Sequence, residues 1–260
     1  MGSAVEVPPD WYRSGFPPIT AAMPWADRTE AEVDRAIMML RPEGGERVLD
    51  LACGIGRHSL ELRRRGFEVV GVDISPDLLE MAEREAEAQS LEVSFMQADL
   101  RELDLRDEFD LVLSLNDGAV GYFETDEENH RTFEVIAQAL REGGGHLVQL
   151  PNVLHAEKNL PKKSWIVGES TLELSDHHWN AEDRYIEGST VPIRFGEVFE
   201  KYEEIPFRQR LYTAEELAEI YDSVGMRLAN TFAGSGKARK PKPNQFEIFV
   251  EGRKGPVAAA

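Results

Sequence analysis

Arg47-Val48-Leu49-Asp50-Leu51-Ala52-Cys53-Gly54-Ile55-Gly56-Arg57-His58 is the stretch on which the fold turns. An apolar run holding one acid stops at a glycine-rich turn, and charged residues then resume at helical spacing. The run reads as a buried strand, Gly54 to Gly56 as a turn, and the segment to about Arg65 as a helix closed by Gly66 at the C-cap. Downstream, 67–73 reads as a second strand. Ser75 and Pro76 then open a helix as N-cap and first-turn proline, with Leu78, Leu79, Ala82 and Ala86 inward. Further strands are expected at 93–99, 109–115 and 146–150, the last entered through Gly143-Gly144-Gly145. Thr125 with Glu128 caps the helix between the last two. Upstream, Thr29 with Glu32 reads as a capping box for a helix that carries Val33, Ile37 and Leu40 on one face and ends at Pro42. Strands alternating with helices imply a parallel sheet with right-handed crossovers. Ligands of such sheets bind beyond the carboxyl ends of the strands.

After residue 150 the pattern changes. Residues 165–212 alternate apolar and polar with no helical stripe, and 165–167, 185–193 and 198–211 read as antiparallel strands inserted over the sheet. Thr213 with Glu216 boxes a last helix through Ser223, and 227–232 and 246–251 read as closing strands. The expected division is 1–41 as an N-terminal arm and helix acting as a lid, 42–150 as a cofactor-binding core, 151–211 as a substrate cap, and 212–260 as the end of the core.

Composition excludes several classes. With 42% of 260 residues apolar, a disordered chain is ruled out. A net charge of −19 opposes nucleic acid and anionic membranes. The one basic run, Lys237 to Lys242, is short, is broken by Pro241, and reads as a solvated hairpin loop. A single cysteine, Cys53, excludes an intramolecular disulfide framework and a cysteine-based zinc site, and fits a reducing compartment. No apolar stretch approaches the roughly 20 residues that span a bilayer, and no signal peptide is read. The expectation is a cytoplasmic monomer or homodimer that takes a small-molecule substrate and no metal.

Three acids end successive strands. Asp50 precedes the glycine turn, where it would repel a pyrophosphate and attract an ammonium or sulfonium group. A dinucleotide fingerprint would also want a third glycine near Ser59, which is absent. Asp73 could accept both hydroxyls of a ribose, and Asp99 an exocyclic amine such as the adenine N6. Any one of these acids alone could be a turn former. All three in register with the glycine turn point to one crevice.

The run 48–58, with Val70-Gly71-Val72-Asp73-Ile74-Ser75, Gln97-Ala98-Asp99-Leu100 and Asp110-Leu111-Val112, resembles the class I S-adenosylmethionine-dependent methyltransferases. The resemblance covers about 45–150 well and 205–250 loosely, and it is specific for the cofactor, not the substrate. It implies an α/β fold: a Rossmann-like seven-stranded, mostly parallel sheet with helices on both faces, plus here an inserted antiparallel β lid. It further implies that Asp50 holds the methionine ammonium through water, that Ala52 and Gly54 offer backbone to the methionine, and that Gly56 permits close approach. Asp73 would bind the ribose, Ile74 would pack on the adenine, Asp99 would bind N6, and the Leu100 backbone would lie near N1. Leu115 and Asn116 would line the methionine and the transfer site. Ala52 stands where many members carry glycine, which is tolerated unless a positive φ is required there.

On the substrate side all four tryptophans, Trp11, Trp25, Trp165 and Trp179, lie outside the core segment. Trp11, Trp25, His177, His178 and Trp179 are assigned to the substrate and Tyr12 to the cofactor, although these aromatics could equally pack the insertion onto the sheet. His155, Tyr122 and Asn116 are the candidates nearest the methyl, with Asp117 beside them. The reading is methyl transfer from S-adenosylmethionine, leaving S-adenosylhomocysteine, to an O or N atom of a small molecule. The alternatives are a protein or RNA substrate, or a non-catalytic nucleotide-binding protein.

Overall fold

The computed structural model describes residues 7–13, 16–116, 118–232 and 240–255. Residues 237–239 of the basic run at 237–242 and Asp117 lie outside them. After a short N-terminal arm, α1 (Thr29–Leu40), β1 (Arg47–Leu51), α2 (Arg57–Arg64), β2 (Glu68–Asp73), α3 (Pro76–Ala88), β3 (Ser94–Gln97), β4 (Phe109–Ser114), α4 (Asp126–Ala139) and β5 (Leu140–Pro151) follow in order. Next come α5 (Val153–Asn159), β6 (Lys162–Val167), β7 (Thr171–Asn180), β8 (Tyr185–Arg194), β9 (Glu200–Lys201) and β10 (Ile205–Arg210). The chain closes with α6 (Ala214–Ser223), β11 (Met226–Phe232) and β12 (Glu247–Lys254).

The main sheet has seven strands in the order β11-β12-β5-β4-β1-β2-β3, and β12 alone runs antiparallel to its neighbours. Strand alternation divides its core in two. Leu49, Leu51 and Val112 pack with Phe133, Ile136 and Tyr221 on one face. On the other, Val48, Leu111 and Leu113 meet Val33, Ala36 and Met39 of α1. The strand order reverses at β1, which pairs with both β2 and β4, so the crevice opens at the carboxyl ends of these three strands.

Several boundaries depart from the sequence reading. The expected box at Thr29 does not form: Arg28 is the N-cap with no side-chain cap, because the Glu32 carboxylate is taken by Arg57 and His58. The boxes at Thr125 and Thr213 do form. Strand β5 runs through the glycines instead of starting after them, since Phe109 pairs Leu140 and Gly145 pairs Arg253 of β12. The expected strand at 198–211 is broken into β9 and β10. Neither α5 nor β7 was expected.

Strands β10-β8-β7-β6 form a second, antiparallel sheet, with β9 paired to β8. It is anchored over the carboxyl ends of the main strands. Gln209 Nε2 donates to the Val120 carbonyl at 3.0 Å, and the Arg210 amide donates to the Gly121 carbonyl at 2.7 Å. This approach is why residue 121 is glycine: a Cβ there would stand 2.2 Å from the Arg210 carbonyl oxygen. From the other side Thr171 Oγ1 donates to the Ala22 carbonyl at 2.7 Å, strapping the N-terminal arm to the roof.

Candidate active site

The loop between β1 and α2 holds three left-handed residues: Ala52 at φ 53°, Gly54 at 55° and Gly56 at 70°. The positive φ that would tell against alanine is therefore present at Ala52. An L-residue there costs about 1–2 kcal/mol, and a glycine loses roughly 0.5–1 kcal/mol through its freer unfolded chain. Ala52→Gly is therefore expected to raise stability by about 0.5 kcal/mol, read as a higher urea midpoint at constant m-value. An unchanged or lower midpoint would show that the loop carries no such strain.

Gly56 serves packing: a Cβ there would lie 2.8 Å from the Phe95 ring and 2.9 Å from Ala82, and the residue does not line the cavity. Asp50 also stands off the cavity wall. The same alternation that turns Val48 toward α1 turns Asp50 toward α2, where Ser59 Oγ donates to its Oδ2 at 2.6 Å. The residue that breaks the dinucleotide glycine pattern is thus the one that holds Asp50. Burial pushes the Asp50 carboxyl up against the opposing pull of His58 and Ser59.

Ala52 and Gly54 line the cavity, as do Asp73, Ile74, Asp99 and Leu100. Asp73 Oδ2 accepts from the Gly54 amide at 2.8 Å and Oδ1 from the Ser75 amide at 2.9 Å, tying the glycine loop to the start of α3. Burial raises its carboxyl, and the amides of Ser75, Gly54 and Ile74 pull it back only in part. Asp99 is held by a partner the sequence reading missed. Its Oδ1 accepts from the Arg101 amide and Nε at 3.1 and 2.9 Å, and its Oδ2 from Arg101 Nη2 and Arg13 Nη2 at 2.7 and 3.1 Å. The Arg101 fork keeps the Asp99 carboxyl below its ordinary range. Four donors occupy about all the lone-pair sites of a carboxylate. An adenine amine would therefore have to displace one of them, and the half-exposed Arg13 is the easiest. Arg101 also lies 4.4 Å from the Phe123 ring centroid and donates to Tyr12 Oη at 3.1 Å.

A second missed group lies beside the glycine loop. Arg57 Nη1 donates to Glu32 Oε2 at 2.5 Å and to Thr29 Oγ1 at 2.9 Å, and the guanidinium sits 5.5 Å from the Trp25 ring. His58 Nε2 is 2.9 Å from the same Glu32 oxygen. Burial alone would raise Glu32, but His58 and Arg57 outweigh it and hold the carboxyl low. Among the described residues Arg57 Nη2 is buried with no hydrogen-bond partner and so is Trp11 Nε1, and both residues line the cavity. The signal for Arg57 was its position directly after Gly56.

Leu115 and Asn116 follow β4 at the wall. Asn116, at φ 50°, donates its amide to Gln149 Oε1 at 3.2 Å. Tyr122 stacks on Phe16 at 6.3 Å and lies 4.8 Å from Trp11. His155 sits on α5, its Nδ1 3.0 Å from the Pro243 carbonyl. Trp11, Trp25 and His177 line the cavity; His178 and Trp179 do not. The reason is the two-residue period of β7. It turns His178 outward onto Asp176, 3.1 Å away, while Trp179 points inward but is covered by Val153 and Ala156 of α5. Burial pushes the His177 imidazole down.

The cavity measures about 670 Å³, in the middle of the range for small-molecule sites. Its floor is the cofactor crevice and its roof the inner face of the second sheet. Residues 48–144 match the methyltransferase domain family. This segment of the chain is a methyltransferase domain. The chain is 28% identical over 216 residues to a Bacillus subtilis (strain 168) protein provisionally named methyltransferase YqeM, covering 82% of this chain and 85% of that one. Its fold is similar to that of an S-adenosylmethionine-dependent methyltransferase from Clostridium acetobutylicum ATCC 824, with TM-score 0.75 and 17% identity over 92% of this chain and 95% of that chain. It is also similar to S-adenosylmethionine-bound CalS10, an amino pentose methyltransferase from Micromonospora echinaspora, with TM-score 0.67 and 19% identity over 92% and 97% of the two chains. Among the described residues of the methyltransferase, no helix is long and apolar enough to cross a membrane.

Proposed function

We propose that this methyltransferase acts on an O or N atom of a small molecule, with residues 151–211 as the substrate cap and 1–41 as the lid. The observation that carries the reading is the single cavity shared by the strand-end crevice and the roof sheet: donor and acceptor meet inside it, under cover. The cofactor fits the residues present. Arg57 Nη2 and Trp11 Nε1 are buried donors in need of acceptors, and a methionine carboxylate suits the first. Asp73 would take the ribose hydroxyls, Ile74 and Leu100 the adenine, and the Ala52–Gly54 backbone the amino-acid end. S-adenosylmethionine, when bound, supplies a methyl carbon made electrophilic by its positive sulfur.

The chain's own contribution is positioning and exclusion of water. An oxygen acceptor needs a base, and His155, His177 and Tyr122 are the groups within the cavity that could serve. Burial pushes the His177 imidazole down, which disfavours its protonated form and makes it a weaker base than a free imidazole. The kinship with an amino pentose methyltransferase favours a small polar acceptor. Cys53 is buried, with its thiol pushed up by burial and by the Asp50 and Asp73 charges, so it suits a reducing cytoplasm and takes no part in the chemistry. The enzyme would work as a monomer or homodimer without nucleic acid.

The test is release of S-adenosylhomocysteine from S-adenosylmethionine in fractions of a cell extract separated by size. Turnover is expected with the small-molecule fraction. Turnover with RNA or protein alone would overturn the reading.

A further inference from the structure

The roof is a strand face, and its register can be read rung by rung. Ser164, Ser175 and Thr190 are directly opposed across β6, β7 and β8, and all three line the cavity. The rung on one side holds Ile166, Glu173 and Pro192; the rung on the other holds Lys162, His177 and Gly188. A face that merely packed against the core would be apolar. This one presents three hydroxyls, a carboxylate, an imidazole and, at its edge, the Lys162 ammonium to the cavity, and hydroxyls in a row match a ligand with several hydroxyls of its own.

Glu173 is the carboxylate of this face. Of the other carboxylates lining the cavity, two have cationic partners and two have neutral donors only. Glu32 has Arg57 and His58, Asp99 has Arg101 and Arg13, Asp73 has backbone amides, and Glu247 takes an amide hydrogen from Gln149. Glu173 accepts from Ser175 Oγ at 3.0 Å and forms no ion pair among the described residues. Burial raises its carboxyl, and hydrogen bonding from Ser175 and the Trp25 indole opposes this without cancelling it. Glu173 is only partly buried, and a carboxylate drawn partly out of water without a cation carries a desolvation cost that a cationic ligand would relieve. The other walls also suit a cation: the rings of Trp11, Phe16, Tyr122 and Trp25 line the same cavity.

We propose that Glu173 anchors the amino group of a small, hydroxyl-bearing amine, which makes amines the substrate class of this enzyme. This inference rests on the small-molecule reading above and narrows it. The Ser164–Ser175–Thr190 row takes the substrate hydroxyls, and Glu173 distinguishes an amine from the corresponding alcohol.

The test uses the full chain loaded with S-adenosylhomocysteine and a set of amino alcohols and amino sugars (ethanolamine, serinol, glucosamine), each paired with its neutral counterpart (ethylene glycol, glycerol, glucose). Binding is read by calorimetry. In at least one pair the amine is expected to bind tenfold or more tightly than the alcohol. Glu173→Gln should abolish that preference, Glu173→Asp should restore part of it, and both should leave the affinity for S-adenosylhomocysteine unchanged. Equal binding of amine and alcohol in every pair, or no binding of any amine, would overturn the assignment. So would a preference that survives in a Glu173→Gln variant that still binds S-adenosylhomocysteine. Should Glu173→Gln fail to fold, the wild-type preference alone decides. The small-molecule reading fails separately, if only RNA or protein is methylated.

Discussion

Asp73→Ala is expected to weaken S-adenosylmethionine binding roughly 10- to 150-fold, about 1.5–3 kcal/mol, the range for hydrogen bonds to a charged group. The argument is geometric. The Asp73 carboxylate lines the cavity at the end of β2, and each of its oxygens takes one backbone amide, from Gly54 and Ser75, leaving lone pairs for a ribose diol. Removing it both deletes the ribose acceptor and releases the Gly54 amide, so the loop that faces the methionine loosens as well. Asp73→Asn should lie between the two, because its carbonyl oxygen can satisfy one amide while its NH2 meets the other donor. Calorimetry on the folded variants, with NAD as the control ligand, checks both values. Unchanged affinity in Asp73→Ala would remove the residue from the cofactor site.

Below pH 6.5 the protein should lose stability, by about 2 kcal/mol at pH 5, through one histidine. His146 lies fully buried on β5, between Tyr221 Oη at 2.8 Å and Ser114 Oγ at 3.1 Å. Burial pushes its imidazole from 6.5 down to about 3. Between those values the unfolded chain binds the proton and the folded chain does not, so stability rises with pH there and is complete above about 6.5. Asp50, Asp73 and Glu173, whose carboxyls are raised, act in the opposite sense, so the total slope mixes both signs. The clean measurement is the difference between wild type and His146→Gln in urea midpoint at pH 7 and pH 5. The variant starts less stable but should lose about 2 kcal/mol less on acidification. Parallel pH profiles would show that His146 does not carry the effect.

Local signals carried the reading a long way. Asp73 at the end of β2, the glycine turn and the caps at Ser75, Thr125 and Thr213 each depend on neighbours within a few residues and stand where expected, while Asp99 lies two residues beyond the end of β3 and caps a short turn. The roles given to single residues were less legible. Asp50 lies in β1 and Gly56 in the expected turn, yet neither faces the cavity: one faces Ser59 and the other Phe95 and Ala82. Strand β7 went unread because its polar residues alternate with polar residues: Glu173, Ser175 and His177 on the inner face, Asp176 and His178 on the outer. A half-buried strand announces itself by an apolar face, and one that lines a cavity lacks it.

The order of strands and helices, and with it the crevice at the strand ends, was therefore written in the chain's periodicity and turn chemistry, because those act over one or two turns of backbone. The pairing of Arg57 with Glu32, of Arg13 with Asp99, of Thr171 with Ala22, and the exposure of Glu173 to a shared cavity join residues far apart along the chain. Such contacts form only once packed layers bring distant side chains together, and no local pattern specifies which charge will find which partner.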